Sequence, residues 1–138
     1  MVRITSFIMS DGITNIPDQN GQVIQVLSRP LQILRPQFIP SAFSFCFAVG
    51  ISGINLTEEN NVIHLAITDP DGKEVTQFND ISVPTDPDST LPVDDSGCMI
   101  CMDVRNVSIL MEGKYLLQVK FNNELIGTRE IPVYKGIK

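Results

Sequence analysis

The chain has 138 residues, of which 43% are hydrophobic and 19% charged, and its formal net charge is −6. This composition is typical of a single globular domain, and it differs from that of a disordered segment. The acidic balance argues against nucleic-acid binding, since a phosphate backbone is bound through clustered Lys and Arg side chains. It argues equally against an anionic membrane surface.

The first half of the chain predicts three strands. Residues 2–9 are rich in β-branched and aromatic side chains and indicate a first strand. Asp11-Gly12 and residues 17–21 carry turn chemistry, so we expect two turns before a second strand at residues 22–28. The clearest buried strand begins after Pro40, where large apolar residues occupy one face and small residues the other. The large residues are Phe43, Phe45, Phe47, Val49 and Ile51.

The middle of the chain predicts a hairpin followed by a long loop. Residues 62–68 and 73–78 flank Asp69-Pro70-Asp71-Gly72, which is a strong turn signal. Residues 79–97 contain three prolines and five aspartates and show no periodicity, so we expect a long acidic loop that is either functional or mobile. Within it, residues 81–83 could form a short edge strand. Residues 98–104 predict the next strand.

The last part of the chain predicts a bulged hairpin. Apolar and polar residues alternate along 113–121, and Asn122-Asn123 can adopt the positive φ values of a two-residue turn. Ile131 and Val133 fall out of phase with a simple ladder across that turn. One extra residue must therefore be absorbed, and Gly127 is the natural position for the bulge.

These elements specify the fold class. No helical hydrophobic period of ten or more residues occurs, and residues 56–61 could form at most one helical turn. About eight or nine short strands separated by turns predict an all-β antiparallel sandwich, formed as one domain over residues 1–138.

Two motifs carry a resemblance to known domains. The hairpin at residues 67–75 resembles one common in immunoglobulin-like and macroglobulin-like domains, and Gly113-Lys114-Tyr115 is similar to the Gly-x-Tyr of their tyrosine corner. Leu117 stands where a disulfide cysteine would be, and the chain has no Trp, so no antibody-type assignment follows. The resemblance implies an immunoglobulin-like sandwich.

The order of motifs also resembles a family of small uncharacterised bacterial and prophage proteins. The shared features are an opening strand such as residues 4–8, a Pro-bounded aromatic strand, the Asp-Pro-Asp-Gly hairpin and a closing Gly-x-Tyr hairpin. This resemblance implies a bacterial or phage origin and supplies no catalytic residues.

Two groups of residues suggest an enzyme, but each has a simpler explanation. Cys98 and Cys101 have the spacing of a redox or metal pair, yet residues three apart on a strand point to opposite faces. Only Cys46 and His64 remain as further zinc ligands. His64 is the only histidine, and no nucleophile or carboxylate lies at a recognisable spacing from it. We therefore expect buried structural cysteines, a histidine on a strand face and no enzyme.

The aspartates of the long loop are the remaining candidates. Calcium-binding sandwiches use such loops, so these residues are candidate metal ligands, although the EF-hand spacing is absent and proline-rich acidic loops are usually only solvated. The metal candidates are Asp86, Asp88, Asp94 and Asp95, and the same four with Asp80 are the candidate protein-binding residues.

The sequence thus predicts a non-enzymatic sandwich that binds another protein and needs no cofactor. The resemblance to prophage proteins implies a virion accessory part or an inhibitor of a host defence protein. One alternative is a calcium- or small-ligand-binding sandwich that uses the 79–97 loop, and a second is an enzyme using His64 or Cys98/Cys101. Three cysteines are a poor disulfide framework, and no apolar run is typical of a signal peptide or membrane span, so we expect a cytoplasmic protein. If it is encoded by a phage, the corresponding location is the host cytoplasm or the virion.

Overall fold

The computed structural model describes residues 1–136, which form two antiparallel β-sheets packed face to face. One sheet has the strand order β2-β1-β3-β7, and the other has the order β5-β4-β8-β9 with the short β6 also paired to β4. The strands are β1 (Arg3–Pro17), β2 (Val23–Leu31), β3 (Ser41–Ser52), β4 (Val62–Thr68), β5 (Glu74–Gln77), β6 (Ile81–Ser82), β7 (Gly97–Ile109), β8 (Gly113–Phe121) and β9 (Glu124–Val133). The predicted all-β sandwich is confirmed.

The strand order is that of an immunoglobulin-like fold. In that fold strands A, B and E lie in one sheet and strands C, F and G in the other, with C′ added beside C. Here β1, β3 and β7 take the places of A, B and E, while β5, β4, β8 and β9 take those of C′, C, F and G. Strand β2 has no counterpart in this scheme, so it is an addition between A and B.

Large aromatic and aliphatic side chains from both sheets fill the space between them. Phe47 is fully buried, and its ring centroid lies 5.7 Å from that of Phe7, 6.4 Å from that of Phe45 and 5.9 Å from that of Phe78. The opposite sheet contributes Leu65, Leu117 and Val119, among others, all fully buried. The face of β3 that the sequence marks as heavy is therefore the face that enters the core.

Two strands are longer than their sequence patterns predict. The predicted turn at Asp11-Gly12 is wrong, because β1 continues without interruption to Pro17, and Gly12 lies opposite Ser28 of β2. Strand β7 likewise continues beyond residue 104 to Ile109, with a register shift near Asn106, whose φ is +57°. Turn-type residues are tolerated inside both strands because the ladder with a neighbouring strand outweighs local propensity.

The closing hairpin has the predicted turn and the predicted bulge. Asn122 and Asn123 both have positive φ, at 49° and 72°, as a two-residue type I′ turn requires. The register passes from Lys120↔Leu125 directly to Val119↔Gly127, so the extra residue is absorbed immediately before Gly127.

The stretch at 79–97 is not a free loop. It contains the predicted short strand, β6, and a single 3-10 turn at Val93–Asp95, and Gly97 already belongs to β7. Backbone hydrogen bonds fix it along its length, from Val83 N–H to the Asn61 carbonyl and from Asp86 N–H to the Leu56 carbonyl. No helix within residues 1–136 is long and apolar enough to span a membrane.

The tyrosine corner is present. The hydroxyl of Tyr115 donates a 2.9 Å hydrogen bond to the carbonyl of Met111, four residues upstream, and the ring is buried. Burial raises the pKa of the Tyr115 hydroxyl above its usual value, and the nearby Asp69 carboxylate adds to that rise.

We expect Tyr115→Phe to lower the free energy of unfolding by about 1 kcal/mol, because one buried hydrogen bond is lost without a change of shape. A phenol whose pKa is raised by folding disfavours the folded state only at high pH, above the pKa of about 10 in the unfolded chain. The wild type should therefore lose stability more steeply than the variant as the pH rises above that value. Urea titrations at neutral and alkaline pH measure both effects. If the free energy of unfolding fell equally with pH in the wild type and the variant, the second expectation would be contradicted.

Candidate functional site

The most unusual feature of the molecule is a two-stranded arm formed by residues 12–28. The ladder between β1 and β3 ends at Ser10↔Cys46, whereas the ladder between β1 and β2 continues to Pro17↔Val23. Within the arm, β1 is therefore paired with β2 alone. Both outer edges of the ribbon keep unpaired backbone groups that can accept another strand.

The arm exposes aliphatic side chains and carries almost no charge. Ile16, Ile24 and Val26 are 42%, 43% and 39% exposed and share one face through the pairs Ile16↔Ile24 and Thr14↔Val26. Val23, at the end of the arm, is 68% exposed on the other face. Asp18 is the only charged residue between positions 12 and 28, and its carboxylate accepts hydrogen bonds from the backbone of Asn20 and Gln22.

An isolated ribbon of this kind is marginally stable in water, and exposed edges are normally protected by charged side chains, especially Lys. The arm has no Lys. Its exposed aliphatic residues contribute nothing to the core, and a group of such residues on one surface is typical of an interaction site.

An apolar groove opens at the base of the arm. It runs between the β1–β2 ladder and β9, and it is lined by Phe7, Ile8, Met9, Pro30, Leu31, Gln32, Glu130 and Pro132. The groove adjoins the base of the arm, where the exposed side chains of Asp11 and Arg29 form an ion pair.

A second site, which is polar, lies near the start of β4. Nδ1 of His64 lies 2.8 Å from Oδ1 of Asp80, a contact between β4 and the residue before β6. Gln77, Phe78, Asn79, Lys120 and Asn123 line the groove around this pair. Sequence spacing alone offers His64 no partner, because the partner is sixteen residues away and is brought in by β6.

The three cysteines do not form a site. Cys98 packs against the core, whereas Cys101 lies opposite Ala48 on the outer face of the same sheet. Burial raises the pKa of the Cys98 thiol, which lowers its reactivity. Cys46 is buried on the outer face, where its thiol lies 3.4 Å from Oδ1 of Asp103. Burial raises the pKa of this thiol, and the Asp103 carboxylate raises it further.

The candidate aspartates are dispersed over separate local structures. Asp80 contacts His64, and Asp86 accepts a hydrogen bond from the Asp88 backbone. Asp94 and Asp95 belong to the 3-10 turn. Within residues 1–136, no group of three or more His, Cys, Asp or Glu side chains converges as metal ligands do.

Comparison with known proteins is sparse. No protein-family model matches this chain, and no curated protein does. Among solved structures, it is similar to an immunoglobulin-like protein from Pseudomonas aeruginosa, with 14% identity over 97% of both chains and a TM-score of 0.39. A likeness this distant carries no argument, so the assignment of the fold depends on the strand order above.

Proposed function

We propose that this protein is a non-enzymatic binding protein that engages another protein through its β1–β2 arm. The observation that carries the proposal is the uncharged ribbon of residues 12–28, which exposes aliphatic side chains and two unpaired edges. A partner that adds a strand to β2 would gain main-chain hydrogen bonds, and the pockets for its alternate side chains would give specificity. The apolar groove beside the base of the arm offers the partner a second contact area.

The distribution of charge supports an uncharged contact. The chain carries sixteen acidic and ten basic residues, but the arm holds only one of them, Asp18. Desolvating the arm therefore requires the removal of very little charge from water, which is the usual property of the centre of a protein interface. The resemblance to bacterial and prophage proteins makes a host or virion protein the kind of partner that we propose.

Site-specific photocrosslinking in cells tests the proposal. A photoreactive amino acid placed at Val23 should give a defined protein adduct. The same amino acid at Leu125, a leucine that is 55% exposed at the start of β9, should not give it. The double variant Ile24→Ser/Val26→Ser should abolish the adduct while the melting temperature stays close to that of the wild type, because both side chains are exposed.

Mass spectrometry identifies the adduct. A single reproducible protein at Val23 supports the proposal, and a second copy of this chain in the adduct would identify the partner as the protein itself. The same background proteins at Val23 and at Leu125 would contradict it, as would an adduct that survives the double substitution.

A further inference from the structure

The groove around His64 and Asp80 has no role in the arm-based proposal, and its position is fixed by the sheet. His64 on β4 lies directly opposite Lys120 on β8, so both side chains leave the same outer face about 5 Å apart at their Cβ atoms. Asp80 is placed by the Val62↔Ser82 and Ile63↔Ile81 pairs that dock β6 onto β4. Three separate strands or their flanks thus bring an imidazole, an ammonium and a carboxylate together.

The walls of the groove are held rigidly. Asn122 Oδ1 accepts a hydrogen bond from the Val62 backbone, and the Asn122 N–H donates to the Val62 carbonyl, which ties the β8–β9 turn to the start of β4. The Asn122 amide also contacts the buried Asn61. The backbone that carries the groove residues is therefore already held in place before a ligand binds.

The polar groups of the groove alternate between donors and acceptors. A carboxylate can only accept, so Nδ1 of His64 donates to Asp80, which leaves Nε2 to face a ligand. Lys120 supplies donors, while the amides of Gln77, Asn79 and Asn123 supply both kinds. His64–Asp80 is the one side-chain hydrogen bond found among these six residues within the described part of the chain.

Charge limits the class of ligand. Asp80 repels a phosphate or carboxylate, and Lys120 repels a cation, so the pair together selects neither sign. A neutral molecule bearing several hydroxyl groups fits best, because each hydroxyl both donates and accepts and can bridge a carboxylate to an amide or an ammonium.

We propose that the groove formed by His64, Gln77, Asn79, Asp80, Lys120 and Asn123 binds a neutral polyhydroxylated ligand of the saccharide class. None of the residues that line it is Ser, Thr or Cys, so the groove holds no hydroxyl or thiol nucleophile beside the His–Asp pair. The role is therefore recognition. This proposal does not rest on the one made for the arm, since the two surfaces share no residue.

A titration of the full chain followed by two-dimensional NMR tests this proposal. The probes are glucose, galactose, mannose and N-acetylglucosamine, with maltotriose and chitotriose to distinguish a free sugar from the end of a longer glycan. Inorganic phosphate serves as the anionic probe. We expect at least one saccharide to shift the backbone amides of His64, Lys120 and Asn123 in a saturable way, and phosphate to leave them unmoved.

Asp80→Asn should lower the affinity for the saccharide that binds by about tenfold, because the substitution replaces a charged hydrogen-bond acceptor with a neutral amide. Asp71→Asn is the matched control, since it makes the same change of charge at an exposed site in the turn at the far end of β4. It should leave the affinity unchanged.

Three results would overturn the proposal. The first is that none of the six saccharides moves the amides of the groove. The second is that phosphate moves them at lower concentration than any saccharide. The third is that Asp80→Asn, with its spectrum otherwise intact, binds as tightly as the wild type.

Discussion

Replacing Phe47 with alanine should lower the free energy of unfolding by about 3–5 kcal/mol, the range found when large aromatic side chains are removed from a core. Phe47 is fully buried, and it packs against Phe7 of the neighbouring strand and against Phe78, the residue that follows β5 of the opposite sheet. Its removal therefore costs the transfer free energy of the ring and leaves a cavity that touches both layers. Urea denaturation followed by circular dichroism measures the loss.

Phe38→Ala is the control for that experiment, because Phe38 is 61% exposed and its truncation should change stability by less than about 0.5 kcal/mol. A domain with an ordinary stability of about 5–15 kcal/mol tolerates the Phe47 change unless its stability lies at the lower end of that range. Phe47→Leu keeps most of the volume and should lose much less, so it remains measurable if the alanine variant does not fold. If Phe47→Ala and Phe38→Ala lowered the free energy of unfolding equally, β3 would not be the strand that dominates the core.

The sequence predicts the core and the closing hairpin because both depend on local, periodic information. Side chains alternate strictly along β3, so the placement of Phe45, Phe47 and Val49 on one face follows from their spacing alone. The bulge before Gly127 follows from counting residues between the Asn122-Asn123 turn and Ile131. No knowledge of tertiary structure is needed for either prediction.

The arm and the polar groove depend on information that the local sequence does not contain. Asp11-Gly12 is good turn chemistry, and only the uninterrupted pairing with β2 shows that β1 continues through it. Asp80 becomes the partner of His64 through the docking of β6 onto β4, and the sequence predicts that short strand but not the strand with which it pairs. Pairing between strands that are distant in sequence determines which residues meet at both sites, whereas sequence periodicity carries information only about neighbours along the chain.

The two proposed sites use different parts of the fold for different chemistry. The arm is an addition to the immunoglobulin-like strand order, so it can change without disturbing the core. The polar groove combines outward positions of β4, β5 and β8 with residues of the segments that connect strands, namely Asn79, Asp80 and Asn123. Both proposals therefore place function at positions outside the core, where substitution does not disturb the packing.

Gly97→Ala should lower the free energy of unfolding by about 3 kcal/mol, at the upper end of the usual cost of overpacking. A Cβ atom at this position would lie 1.8 Å from the carbonyl oxygen of Ile51 and 2.9 Å from Cα of Ser52. The clash is with backbone, so it is relieved only if β7 moves away from β3 at the Ser52↔Gly97 pair. That movement would weaken the two hydrogen bonds that the Ser96 carbonyl accepts from the backbone N–H groups of Gly53 and Ile54.

Gly72→Ala separates this steric effect from the conformational effect of losing a glycine. Gly72 has a φ of +86°, and a Cβ atom added there would meet nothing within 4 Å, so its substitution should cost only about 1 kcal/mol for the left-handed backbone. The urea midpoints of the two variants measure the difference in stability, provided that the dependence of the unfolding free energy on urea concentration is the same in both. A Gly97→Ala variant as stable as Gly72→Ala would mean that the first residues of β7 can shift at little cost, and that the 79–97 segment is anchored by β6 and not by its junction with β7.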